Sequence, residues 1–164
     1  MVNKILLLGN KELYEVSVNV KKEEIANLKS VIGDLHDTLM DYRNRYGAGR
    51  AIAAPQIGIK KRMIYMYVDK PVVFLNPVLE YHDDEMMKVL DDCMSFPGLY
   101  VYVMRHRRCT IKYYDIDWKE CAMELDADLS ELLQHEYDHL DGILATIRAI
   151  DNQSFVIKNG DIRK

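Results

Sequence analysis

The chain has 164 residues, which fits one domain, and 49% of them are apolar, enough for a core that needs no disulfide or structural metal to fold. Its net charge is −4, which argues against the broad basic surface of a nucleic-acid-binding protein. No apolar run approaches the roughly 18–20 residues that span a bilayer, so no membrane is expected as a partner. The short basic run Arg105–Arg108 is interpreted as a solvated strand end.

The cysteine content favours a reducing compartment. Cys93, Cys109 and Cys121 are odd in number and lack the spacing of a disulfide framework. The apolar run at residues 5–8 is too short for the core of a signal peptide. We therefore expect a cytoplasmic protein with reduced thiols, folded as a single domain over residues 1–164.

The first predicted element is a long helix over Glu23–Tyr46, because its apolar residues recur every three or four positions. Gly47 and Gly49 are typical of the positions just beyond a helix end. The predicted strands that follow are Met63–Val68, Val72–Leu75, Tyr100–Val103, Thr110–Tyr114 and Glu120–Leu125. The polar segment Asp115–Lys119 is predicted to join the last two strands as a hairpin.

A second helix is predicted from about Asp128 to Leu140. Asp128 and Glu131 have the spacing of a capping box, and Gly142 fits a left-handed residue beyond the C-terminal end. The tail Ser154–Lys158 is a candidate last strand. Strands on both sides of two helices predict an α+β fold.

The second helix carries a metal-binding pattern. His135, Glu136 and His139 form an HExxH arrangement, and histidines four residues apart lie about 40° apart around a helix, so both can bind one ion. Glu136 can then reach a metal-bound water without being a ligand. A catalytic metal needs a third protein ligand. Cys93 is a candidate, although a cysteine in that setting is also typical of a core.

Three segments, in this order, resemble the motifs of the peptide deformylases. Gly49–Gly58 is similar to the GxGLAAPQ-like motif, Asp91–Ser95 to the EGCLS-like motif and Gln134–Gly142 to the QHExDHLxG-like motif. The resemblance implies antiparallel sheets packed around a central HExxH metal-binding helix, plus a long N-terminal helix. It also implies a monomer that removes the N-formyl group from N-formylmethionyl peptides of nascent proteins, near the ribosome, and releases formate.

The resemblance assigns roles to individual residues. It implies that one divalent ion has three protein ligands, Cys93, His135 and His139. Family members use Fe²⁺ and accept zinc, nickel or cobalt. Glu136 would transfer the proton of the attacking water, and the Gln56 amide and the Met94 backbone N–H would stabilise the oxyanion. Gln134 and Asp138 would orient an imidazole or brace the neighbouring loops.

The substrate pocket departs from the family pattern. The residues expected to contact substrate are Arg50, Ile52, Asp92, Glu131 and Leu132. Asp92 replaces a glycine, and Arg50 and Glu131 replace apolar residues that border the methionine side-chain pocket; Ala51 and Tyr100 also differ. The simpler expectation is that Arg50 and Glu131 extend to solvent and leave the pocket apolar. The alternative is an ion pair across the pocket mouth.

Two other functions stay open at this point. An HExxH peptidase would hydrolyse internal peptide bonds of unformylated peptides. A divergent homologue would bind metal or formyl-peptides with weakened activity or a shifted substrate. The retention of Cys93, Gln56, Glu136 and both motif histidines favours an active deformylase.

Overall fold

The computed structural model describes residues 1–158, and residues 159–164 of the expected domain lie outside the described residues. The described chain contains two α-helices, α1 (Ile25–Tyr46) and α2 (Ala127–Leu140). It contains eight strands: β1 (Ala51–Ala53), β2 (Met63–Tyr67), β3 (Pro71–Glu80), β4 (Met86–Asp92), β5 (Leu99–His106), β6 (Arg108–Tyr114), β7 (Glu120–Asp126) and β8 (Phe155–Ile157). Neither described helix is long and apolar enough to cross a membrane.

The strands form two antiparallel sheets. The larger sheet has the order β1-β2-β3-β6-β7, and the smaller has the order β4-β5-β8. Helix α2 contacts β1 and β7 of the larger sheet and β5 of the smaller one, so it lies between them. The predicted α+β fold, with antiparallel sheets around a central HExxH helix and a long N-terminal helix, is confirmed.

Helix α1 follows its predicted apolar periodicity closely. A 3₁₀ turn at Lys22–Glu24 precedes it, and Gly47 ends it in a left-handed conformation, with its N–H donating to the Arg43 carbonyl. Its buried side chains, Leu28, Leu35 and Leu39 among them, pack with side chains of β1 and β2. The helix therefore covers one part of the larger sheet.

Two strands, β1 and β4, are not predicted from the sequence, and β3 and β5 are longer than predicted. In β3 the pairing register shifts between Leu75 and Val78, so the predicted strand end at Leu75 is in fact a β-bulge. The hairpin of β6 and β7 and the last strand β8 are confirmed. All three cysteines are free.

Helix α2 begins directly at the end of β7, which makes the predicted capping box wrong. Its N-cap is Asp126, whose side chain makes no capping hydrogen bond, and Asp128 lies within the first turn. Glu131 bonds to Arg50 instead of reaching back to the helix end. At the other end, Gly142 is left-handed as predicted, and the N–H groups of Gly142 and Ile143 donate to carbonyls of the last turn, as in a Schellman motif.

Gly142 generates a stability prediction. An added Cβ would lie 2.5 Å from the carbonyl oxygen of Tyr14, at a φ of +71°. Because left-handed strain and a backbone clash add, we expect Gly142→Ala to lower the free energy of unfolding by at least about 2 kcal/mol in urea denaturation. Gly47→Ala is the matched control, since Gly47 has a φ of +68° and an added Cβ would meet nothing within 4 Å. Equal losses in the two variants would contradict the role of the Tyr14 contact.

Candidate metal centre

Three buried donor atoms converge between β4 and α2. Cys93 directly follows β4, and His135 and His139 lie one turn apart on α2; their ligand atoms are all within 4.8 Å of one another. The Cys93 Sγ atom lies 3.3 Å from His139 Nε2. Metal–sulfur and metal–nitrogen bonds of about 2.3 and 2.0–2.1 Å place the donors of a tetrahedral site roughly 3.3–3.7 Å apart. This donor set therefore fits a divalent transition-metal ion.

The Cys93 sulfur also receives hydrogen-bond donors from the protein. The Ser95 backbone N–H and the Gln56 side-chain amide lie 3.4 and 3.5 Å from Sγ. Gln56 belongs to a 3₁₀ turn after β1, where its Oε1 accepts from the Ala53 N–H and its Nε2 donates to Ser95 Oγ. These contacts fix the position of the sulfur beside α2.

A buried ion network positions His135. Asp91 Oδ1 lies 2.8 Å from His135 Nδ1, and Asp91 Oδ2 accepts a hydrogen bond from Arg105. Arg105 also donates to Asp138, which in turn accepts two hydrogen bonds from Arg148. A carboxylate at Nδ1 leaves Nε2 of the imidazole free for a metal ion and fixes the orientation of the ring.

The prediction that Arg105–Arg108 is a solvated strand end is wrong for Arg105, which is 3% exposed. In β5 the side chains alternate, and Val101 and Val103 are buried on the same face as Arg105. That alternation is the sequence signal that could have identified Arg105 as an inward-facing residue. Because a buried guanidinium must be paired, it also points to acidic partners.

The Asp91 carboxylate is charged at neutral pH. Burial alone would raise its pKa, but the charges and hydrogen bonds of His135 and Arg105 outweigh burial and lower that pKa to about 2. The ionised Asp91 carboxylate can therefore stay paired with His135 and Arg105 under physiological conditions.

Glu136 faces the same cleft from α2 and is 4% exposed. Burial, the largest influence on this carboxyl, raises the pKa of Glu136 to about 7. Its Oε2 atom has no hydrogen-bond partner among the described residues. A carboxyl group that titrates near neutral pH is suited to accepting and returning a proton.

Gln134 and Asp138, the two residues of α2 predicted to support the site, bond to segments next to α2. Gln134 accepts a hydrogen bond from the His106 N–H and donates to the His106 carbonyl, which ties α2 to the end of β5. Asp138 bonds to Arg105 and Arg148. Both therefore match the bracing alternative, since their bonds go to β5 and to the segment after α2, and the imidazole of His135 is oriented by Asp91 instead.

Most residues predicted to contact substrate line this cleft. They are Arg50, Asp92, Glu131 and Leu132, together with Gln56 and Met94. Ile52 is not brought to the cleft, because its side chain is fully buried between α1 and the larger sheet. Tyr42, which sequence periodicity places only on the apolar face of α1, also lines the cleft. Burial raises the pKa of Tyr42 to about 12, so its hydroxyl stays protonated.

Arg50 and Glu131 form an ion pair at the cleft. Arg50 Nη2 lies 2.7 Å from Glu131 Oε1, and the two side chains are 43% and 15% exposed. The expectation that both extend separately into solvent and leave the pocket apolar is wrong. Burial raises the pKa of Glu131, and the hydrogen bond from Arg50 opposes that effect.

The fold and the donor set are those of a metallohydrolase of the HExxH type. A family model described as polypeptide deformylase matches residues 2–154. The chain belongs to this family, and the resemblance carried by the three motifs is confirmed.

Relatives and solved structures agree with this assignment. A peptide deformylase of Pseudothermotoga lettingae is 33% identical over 159 residues, covering 96% of this chain and 89% of the relative. That of Treponema pallidum is 40% identical over 101 residues, and the match spans 61% of this chain and 62% of the relative. The crystal structure of the Thermotoga maritima peptide deformylase superposes with a TM-score of 0.83 at 31% identity, covering 92% of this chain and 99% of that one. A Synechococcus elongatus peptide deformylase in complex with actinonin gives 0.83 at 28% identity, covering 92% and 80%.

The ion network predicts that Asp91 controls metal affinity. Asp91→Asn keeps the size of the side chain but removes the charge that faces His135 and Arg105. We expect the dissociation constant for Zn²⁺, measured by chelator competition, to rise about 10- to 100-fold. Asp92→Asn is the matched control, since the neighbouring Asp92 side chain is exposed at the cleft. An unchanged Zn²⁺ affinity in Asp91→Asn would contradict the positioning role.

Proposed function

We propose that this chain is a metal-dependent peptide deformylase that hydrolyses the N-formyl group of N-formylmethionyl peptides of nascent proteins. The observation that carries the proposal is the placement of Glu136, a buried carboxyl with a raised pKa, in the cleft beside the Cys93, His135 and His139 donors. Membership of the polypeptide deformylase family supports the same reaction.

Cys93, His135 and His139 would hold the ion. When bound, a divalent ion polarises a carbonyl oxygen and lowers the pKa of water, which supplies hydroxide near neutral pH. A thiolate with two imidazoles suits Fe²⁺, Zn²⁺, Ni²⁺ and Co²⁺, and we propose Fe²⁺ as the physiological ion on the family resemblance.

The protein groups around the metal ligands have two further roles, proton transfer and stabilisation of the oxyanion. Glu136 takes one proton from the attacking water and delivers it to the departing amine as the formamide C–N bond breaks, so the products are formate and a free α-amino group. The Gln56 Nε2–H₂ group and the Met94 backbone N–H are the proposed donors to the oxyanion that develops on the formyl oxygen. Gln56 is preoriented for this task by its bonds to Ala53 and Ser95.

The proposed setting follows from the substrate. We propose a cytoplasmic monomer that meets formylated nascent peptides near the ribosome. The net charge of −4 gives no support for direct binding to nucleic acid.

Cys93 is predicted to be essential for holding the ion. Cys93→Ala removes the thiolate and leaves two imidazoles, so we expect it to lose the ion on mild chelation while the wild type retains about one equivalent. Metal stoichiometry after purification measures this. Cys109→Ala is the matched control, because Cys109 is a buried free thiol that bonds to Ser130 in the core. A Cys93→Ala variant that still holds one tight equivalent would rule out Cys93 as a ligand.

Glu136 is predicted to be needed for hydrolysis of the formyl group but not for binding of the metal ion. In Glu136→Ala we expect metal content near that of the wild type and formate release from a formyl-Met peptide slower by about 10²–10⁴-fold. The assay uses iron-loaded protein under anaerobic conditions, with Glu124→Ala on β7 as the control. Near-normal turnover of the metal-loaded variant would refute the role. Cleavage of unformylated peptides by the wild type would favour the peptidase alternative.

A further inference from the structure

The Arg50–Glu131 pair brings together side chains from two separate parts of the chain. Arg50 directly precedes β1, Glu131 lies on α2 one turn before His135, and the two are 81 positions apart in sequence. Both line the cleft that contains Cys93 and Glu136. A molecule that reaches the reactive groups therefore passes beside this pair.

The pair has the features of a binding element. Ion pairs that keep one partner in solvent contribute little to folding stability, and the Arg50 side chain is 43% exposed. A guanidinium carries five N–H donors in a planar fork, and the bond to Glu131 Oε1 uses one of them. Arg50 can therefore hold its partner and still donate to a second acceptor in the cleft.

The charges around the pair restrict what that acceptor can be. Glu131 already pairs with the Arg50 guanidinium, so a carboxylate on the substrate that approached Arg50 would lie close to the Glu131 carboxylate and be repelled. A cationic side chain would meet the guanidinium of Arg50. An apolar side chain would cover the pair and remove its remaining water, at a cost that no new hydrogen bond offsets.

We infer that the Arg50–Glu131 pair is a specificity determinant, which favours substrates whose first side chain is uncharged and carries a hydrogen-bond acceptor. The inference rests on the proposed function and names its preferred substrate class. Glutamine and methionine sulfoxide are suitable side chains, because each has an acceptor oxygen at nearly the reach of methionine. The pair thus makes the side-chain pocket polar where methionine itself needs an apolar wall.

The test compares four formyl-Xaa-Ala-Ala peptides, in which Xaa is Met, Leu, Gln or methionine sulfoxide. kcat/KM for formate release is measured for the metal-loaded wild type, for Arg50→Ile with Glu131→Ile, and for Arg50→Gln with Glu131→Gln. The matched control is Lys112→Ile with Glu80→Ile, which removes an exposed pair of the same 2.7 Å length outside the cleft. As a second readout, the dissociation constants of the unformylated peptides are measured on the metal-free proteins by calorimetry.

We expect the Ile/Ile variant to raise the preference for Met over Gln and methionine sulfoxide by about 10- to 100-fold in both readouts. The Gln/Gln variant removes both charges but keeps hydrogen-bond donors, so we expect a smaller shift in the same direction, of about 3- to 10-fold. This shift tests the inference if the Ile/Ile variant does not fold. The Lys112 and Glu80 control should leave the preference unchanged.

An identical preference in the wild type and in both cleft variants would overturn the inference. If the wild type releases no formate from any of the four peptides, the proposed function fails. In that case the dissociation constants still decide whether the pair selects polar side chains, so the two failures are distinguishable.

Discussion

The burial of one guanidinium holds the two halves of the metal centre together. Arg105 on β5 is nearly inaccessible and donates to Asp91 at the end of β4 and to Asp138 on α2. A charge buried at this depth is tolerated only while both partners stay in place. Cys93 follows Asp91 by two residues, and His139 is the next residue after Asp138. The Arg105 ion pairs therefore connect the strand that leads to the thiol with the helix that carries the imidazoles.

How far the fold can be predicted depends on whether the signal is local. Helix α1 has a regular apolar face, and its predicted end at Tyr46 is confirmed by the left-handed Gly47. Strand β4 is missed because it ends in two aspartates, which are typical of loops. Asp91 can be buried there because Arg105 on β5 and His135 on α2 pair with it, and nothing in the residues around β4 indicates those partners.

The residues of the site can likewise be predicted only where their signal is local or belongs to a motif. Both histidines and Glu136 follow from their spacing on one helix, and Cys93 and Gln56 follow from the motif resemblance. The Arg50–Glu131 bond joins residues 81 positions apart. The local sequence therefore predicts the two charges but not the contact between them. The predicted capping box is wrong for a separate reason, because α2 begins at Ala127 and Glu131 therefore lies beyond the third helical position. Ile52 is a residue type that is common in the wall of an apolar pocket, but in β1 its side chain points into the core.

The junction of β7 and α2 limits where the chain length can vary. Asp126 is both the last strand residue and the helix N-cap, and Ala127 follows it in a left-handed conformation, with its N–H bonded to the Arg107 carbonyl. One inserted residue here would rotate the helix by about 100° relative to the hairpin. Both imidazoles would then point away from Cys93. Insertions in the β6–β7 turn at residues 115–119 do not change the rotation of α2 relative to the hairpin. Length variation among functional variants should therefore accumulate in that turn and be absent from the junction.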